Sequence, residues 1–277
     1  MAILSNDVID QEAVRAEVES YAQNNRVFRR AFRQIDSTGI DSNTVEVPVL
    51  DKARAAGVVD EGTAYPSAGD ATRKVTVEHE KYGVEVELSY EAIQDSLLDV
   101  IGLHTTERAE DLADALDEAA YAEVSEFDDT DGVYVNLQDD VVGDAAGSLG
   151  YSEVIDAMTA LEMESYDPDL LIVSAQSKGD LMKSDEFTRA SDLGDEVVGQ
   201  GAFGEVAGIP VFVDNGGHLG AGEAVMVDSS RYGIESEREE MSSIEYDNES
   251  ENKRVIQVRN RLGWKAIRPE AGVKIEG

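Results

Sequence analysis

From Leu103 to Phe127 the chain reads LHTTERAEDLADALDEAAYAEVSEF, a run without glycine or proline that commits it to one long helix. Leu112, Leu116, Ala120 and Val124 fall four apart and Ala109, Ala113 and Phe127 flank them, while Glu and Asp hold the opposite side, the pattern of a half-buried helix. Thr105 or Thr106 is the expected cap, with Glu107 and Glu110 near the positive end of the dipole. At ~1.5 Å per residue the helix would run about 36 Å. Few compact domains use one that long, so an extended body should lie along it.

The charge of the chain narrows the choice further. Its 277 residues, 42% hydrophobic, are enough for one large domain or two, yet the formal net charge is −36, with fifteen Arg against eight Lys. Periodic apolar segments argue against disorder as the reason. Concentrated salt is the better explanation: at about 1 M the Debye length is ~3 Å, so surface repulsion is screened and an acidic coat keeps the protein hydrated. This composition suits a halophilic cytoplasm. Cys is absent, which removes disulfides and thiolate metal sites. No stretch approaches the ~18 consecutive apolar residues of a membrane span, and MAILSNDVIDQEAV has no basic signal-peptide start, so membrane association and export are not expected. Sequence-specific DNA binding is disfavoured, because Lys and Arg supply most of that affinity.

Along the chain, a helical pattern through Val8, Val14 and Val18 gives way to YAQNNRVFRRAFRQI, where Arg26, Arg29, Arg30 and Arg33 gather with no acid between Tyr21 and Ile35. An amphipathic helix pairing with acids of its own fold or of a neighbour is one reading; contact with phosphate is the other. Thr44 to Leu50 alternates as a strand, and Pro48 suits an edge. A turn-rich crossover, DKARAAGVVDEGTAYPSAGDAT, leads to RKVTVEHEKYGVEVELS, whose apolar parity switches at Tyr82-Gly83, the expected place of a bulge. Together they describe a projecting hairpin, which alone is marginal in water and should rest on another subunit.

Beyond a short helix begun by Ser89 and then the long helix, DDTDGVYVNLQDDVVGDAAGSLG reads as loop. Tyr151 to Tyr166 reads as an amphipathic helix stopped by Asp167-Pro168, DLLIVSA as a buried strand and QSKGDLMKS as a short helix. A Gly-rich loop follows, then strands at IPVFVDN and EAVMVDSS. Tyr232 to Tyr246 and Val255 to Ile267 read as two long strands joined by DNESEN. In the second, Ile256, Val258, Leu262, Trp264 and Ala266 share one face, and Arg259, Arg261 and Lys265 the other. No acid occurs from Asn252 to Pro269, so this basic face should meet something negative.

Catalytic and cofactor motifs do not survive their context. Gly199, Gly201 and Gly204 spell G-x-G-x-x-G, but the next element is a strand, not the helix a dinucleotide loop requires. The acidic DDTDG fails calcium-loop spacing, and His79, His104 and His218 lack metal-ligand spacing. Nucleophile-elbow, zinc-protease and phosphate-loop patterns are missing, so neither an enzyme nor a cofactor is expected.

The order of pieces is more specific than any motif. DEGTAYPS lies in the crossover, VEVELSYEAIQDS precedes the long helix, LLIVSAQSKGDLMKS leads to GEVAGIPVFVDN, and VMVDSSRYGIES with RVIQVRNRLGWKAIRPEAGVKIE closes the chain. This order resembles the major capsid proteins of tailed double-stranded DNA viruses, the Hong Kong 97 capsid fold, over nearly the whole length. With its acidic composition the chain resembles such a protein from a virus of salt-loving archaea.

The resemblance implies an α+β fold. Residues 1–42 would be an N-terminal arm, 43–88 an extended E-loop, 89–150 a peripheral domain with its spine helix, 151–229 an axial domain and 230–277 the closing peripheral strands. It implies self-assembly into hexamers and pentamers of an icosahedral virion shell around packaged double-stranded DNA, put together in the host cytoplasm with portal, scaffold and accessory capsid proteins. The Gly199, Gly201 and Gly204 loop would then sit near a capsomer axis, and the E-loop across a neighbour. Arg26, Arg29, Arg30, Arg33, Arg259, Arg261 and Lys265 become candidates for inter-subunit or DNA contact. The spine starts about a hundred residues from Met1, which implies a separate scaffold or none. Lys52, Lys74 and Lys81 of the E-loop have no matching Asn and Glu, so covalent cross-linking is not carried over. An encapsulin-type compartment of the same fold is the alternative.

Overall fold

The computed structural model describes residues 27–39, 42–50, 58–59, 61, 63, 72–91, 100–128, 133–134, 137, 142–143, 148–183 and 204–276. The helical pattern through Val8 to Val18, Arg26, most of the 51–71 crossover, most of the short helix begun at Ser89, and Gly199 and Gly201 lie outside the described residues.

The long helix α1 runs Val100–Val124, about 37 Å at ~1.5 Å per residue. Leu112, Ala113, Leu116, Ala120 and Val124 are buried along it. Its start differs from the expected one. Thr105 and Thr106 lie inside the helix, because the chain does not break between Val100 and Thr106 and a capping side chain has no free turn to serve there. Phe127 belongs to a short strand instead, β5 (Phe127–Asp128), paired with β6 (Val133–Tyr134).

A four-stranded sheet lies under α1 in the order β1 (Phe32–Asp36), β12 (Gly233–Asn248), β13 (Lys253–Ala266), β4 (Glu80–Ser89). The inner face, with Val86 and Leu88 of β4 and Ile256, Val258, Leu262 and Trp264 of β13, belongs to the same apolar core as the α1 stripe. No α-helix forms at Phe28–Ile35. Phe28–Ala31 makes one 3-10 turn that buries Phe28 and Ala31, and β1 then pairs in parallel with Gly233–Glu237 of β12, a ladder of backbone bonds that overrides the local helical pattern.

The strand β2 (Thr44–Leu50) pairs antiparallel with β3 (Thr72–Glu78) as a separate two-stranded ribbon. The parity switch falls at His79, which separates β3 from β4, and not at Gly83, which stays in register opposite Arg259. The reason is that β3 and β4 belong to different sheets. One face of the ribbon is covered by the chain's own residues: Val49 packs with Ile234 and Ile267, and Val47, Val75 and Ile35 pack around them. Gly263 permits the crossing, since a Cβ there would overlap the carbonyl oxygen of Glu78.

A six-stranded sheet is ordered β7 (Val142–Gly143), β14 (Gly272–Glu276), β11 (Glu223–Val227), β8 (Leu170–Ser174), β10 (Ile209–Asp214), β9 (Glu205–Val206). Every residue of β8 is buried, as expected of a central strand covered on both faces. Helix α2 (Tyr151–Met163) packs against β14, and α3 (Ala175–Lys183) against β8 and β10. α2 ends before Asp167-Pro168: Ser165 adopts φ 67°, and the amides of Ser165 and Tyr166 donate to the carbonyls of Glu162 and Leu161, a Schellman closure.

Candidate functional site

The first arginine cluster is divided by the fold. Phe28 is buried against Tyr121 and His218, with ring centroids 4.8 and 5.6 Å away, and this anchors the turn that carries the cluster. Arg29 then points inward to a bidentate pair with Glu235, whose side chain is 1% exposed and also accepts from Trp264 Nε1 at 2.9 Å. Arg30 lies over the Phe212 ring, 4.4 Å from its centroid, within cation–π range. Arg33 is exposed on β1.

The second cluster shares one face of β13, and its members differ in what they meet. Arg261 bonds Asn43 Oδ1 at 2.6 Å and approaches Glu239 at 3.6 Å. Lys265 reaches Glu123 of α1 at 2.9 Å and Glu126 at 3.6 Å. Burial lowers the Lys265 ammonium, but its bonds to the two carboxylates outweigh this and its pKa is raised; Glu123 is also raised, because burial there outweighs the bonds from Ala266 N–H and Lys265. Such opposed effects leave little net stabilisation in the pair. Arg259 has no ion-pair or hydrogen-bond partner among the described residues, and its Nε is shielded from solvent. Much of the negative surface anticipated for this face is therefore the chain's own carboxylates. Gly204 is exposed, and its carbonyl accepts from Val211 N–H at 3.2 Å.

Two polar clusters were missed in the sequence. Asp117 lies on the buried stripe of α1 and accepts the amides of Val27 and Phe28 at 3.0 and 2.9 Å, fixing the chain where it enters the body. Burial pushes its carboxyl up to about 6, the two amide bonds opposing the shift. Its position was readable in principle, four residues after Ala113 and one after Leu116, but acids are so common here that one more attracts no notice. The same holds for Asp214, buried at the end of β10, which accepts from the Gly216 and Leu219 amides and meets His218 Nδ1 at 3.1 Å. In the second cluster, His79, buried at the root of the ribbon, bonds the Asn43 carbonyl through Nδ1 at 2.8 Å and both Ser37 and Ser236 hydroxyls through Nε2 at 3.2 and 2.9 Å. These contacts tie β1, β12 and the two ends of the ribbon together. Among the described residues no group of three or more His, Asp or Glu is placed to hold a metal ion, and no helix is long and apolar enough to cross a membrane.

The geometry is that of packing surfaces and anchors, and comparison with known proteins agrees. The sequence model of a family described as phage capsid protein matches residues 71–275. The chain belongs to the phage capsid protein family. No curated protein matches it. Among solved structures it is similar to one from Microbacterium phage Oxtober96, at 15% identity and TM-score 0.65, covering 91% of this chain and 90% of the other. It is also similar to the capsid of a native GTA particle, at 14% identity and TM-score 0.63, covering 92% and 90%, and to a virus-like particle from Pyrococcus furiosus, at 11% identity and TM-score 0.62, covering 96% and 98%. The fold is the Hong Kong 97-like capsid fold. As a phage capsid protein the chain is a major shell component of a virion and assembles with copies of itself, so the surfaces that matter are those that other copies meet.

Proposed function

We propose that this capsid protein forms hexamers and pentamers of an icosahedral shell around the packaged double-stranded DNA of a tailed virus of salt-loving archaea. The observation that carries the proposal is the family match over residues 71–275, joined to a fold similarity that spans nine-tenths of the chain. Its formal net charge of −36 supports the saline setting, where screening lets such chains approach one another. In this proposal residues 1–42 act as the arm, 43–88 as the E-loop, 89–150 and 230–277 as the peripheral domain and 151–229 as the axial domain. Assembly takes place in the host cytoplasm, with portal, scaffold and accessory proteins as partners, and the chain has no catalytic role. The ribbon of β2 and β3 carries Leu50, 67% exposed, next to Val49 of its buried cluster, which supports a contact element there.

Many modest contacts suffice in a closed shell, because each subunit is held by several neighbours at once. Electron microscopy of the purified chain in multimolar salt and after dialysis to low salt tests the proposal. Closed shells with pentameric and hexameric units, lost at low salt, are expected. A dispersed monomer in both samples counts against self-assembly as an intrinsic property.

A further inference from the structure

We infer that the outer face of the four-stranded sheet around Arg259 is a contact with a second copy of this chain rather than with packaged nucleic acid. The inference rests on the capsid reading and adds which surface is used and for what.

Directly opposed residues in antiparallel strands share a face. Arg259 stands opposite Ser242 on one side and Gly83 on the other, and Gln257 opposite Ile244 and Glu85. The opposite face, with Val258 and Ile256, is committed to the core under α1. The ribbon packs around Ile234 and Ile267, at the other end of β12 and β13 from Ile244 and Tyr246. On the outer face Ile244 and Tyr246 remain 39% and 44% exposed. Between its two small neighbours Arg259 has no partner among the described residues, and its Nε is already shielded from water. A guanidinium partly desolvated and unpaired is costly in isolation, and the cost is recovered when a carboxylate docks.

The choice of occupant follows from what surrounds the arginine. Phosphate would bond Arg259 but would leave Ile244 and Tyr246 exposed. That exposure disfavours a polyanion. A protein surface offering a carboxylate beside an apolar group satisfies the cation and covers the two exposed side chains together. With 59 acidic against 23 basic residues, a second copy of this chain presents carboxylates widely, whereas unpaired cations are scarce on it.

The test uses the 277-residue chain under conditions where the wild type forms particles. Tyr246 is replaced by the photo-cross-linking analogue p-benzoylphenylalanine, and Arg259→Glu and Ile244→Lys are made separately. Irradiation of assembled particles should join chain to chain. Each substitution should raise the concentration needed for assembly by about tenfold or more, a change of ~1.4 kcal/mol per contact, with the thermal unfolding of the unassembled chain unchanged. Particles that form normally but lose nuclease-protected DNA would place phosphate at Arg259 and overturn the inference. Particles normal in both respects, without cross-links, would show the face to be solvated and overturn it equally. Failure of the wild type to form particles at all would instead count against the intrinsic self-assembly on which the inference stands.

Discussion

The two large sheets solve the problem of stability in different ways. In the six-stranded sheet the central strand β8 is buried throughout and apolar but for Ser174, with helices α2 and α3 in the same layered unit, so its stability comes from packing within the chain. The four-stranded sheet has one face on α1, but its other face mixes a small apolar cluster under the ribbon, ion pairs at Arg261 and Lys265, exposed Ile244 and Tyr246, and Arg259, which has no partner among the described residues. The first is self-sufficient; the second leaves a face open to contacts. A shell protein needs both, since one part must hold its shape while another remains available to neighbours.

Substitutions can break or sharpen this contrast. Ile172→Asp, which puts a charge into the middle of β8, should abolish cooperative folding, because an unpaired buried charge exceeds the ~5–15 kcal/mol margin of a typical domain together with the packing it disrupts. Loss of a sharp unfolding transition by circular dichroism would show it. Arg29→Met should be the most damaging change at the four-stranded sheet, by about 3–5 kcal/mol in denaturant unfolding, since it leaves Glu235 buried without its cation. If it costs less than the replacement of an exposed pair, the pair is not what fixes the arm. Gly263→Ala should cost about 1–3 kcal/mol, as the Glu78 carbonyl must move, and should raise hydrogen exchange in β3 more than in β8.

Asp117→Asn goes the other way. The carboxyl titrates at about 6 in the folded chain, against an ordinary value of 3.8, so the ionised form is disfavoured by folding. Its penalty is present above pH 6, shrinks as the pH falls through 6 and is gone below about 4, which means that acidification stabilises the wild type through this group. Asn keeps an oxygen for the Val27 and Phe28 amides without the charge. The variant should be more stable at pH 7.5 by about 1–3 kcal/mol and should lose this pH dependence; an unchanged pH profile of the melting temperature would count against the assignment. Smallest of all, Lys74→Ala removes an exposed pair with Glu46 on the outer side of the ribbon and should leave the melting temperature unaltered in molar salt.

Periodicity sufficed where an element's own side chains decide its state. The stripe Leu112, Leu116, Ala120, Val124, the apolar run of LLIVS and the alternation of Val255 to Ala266 each predict their element and its buried face, and their order along the chain carried the fold. The helical expectation for Phe28 to Ile35 failed because β1 takes its hydrogen bonds from β12, some two hundred residues away. The bulge was misplaced because two strands continuous in sequence belong to different sheets. For the candidate site, two basic runs were visible as runs, but which cation is spent inside the chain was not: Arg29 meets Glu235, Lys265 meets Glu123, and Arg259 meets no described partner. Local pattern records whether a residue is apolar or charged, so the sequence by itself determined the elements, their order and the family they compose. Pairing and desolvation depend on which distant groups come within a few ångströms, and only the tertiary structure decided those.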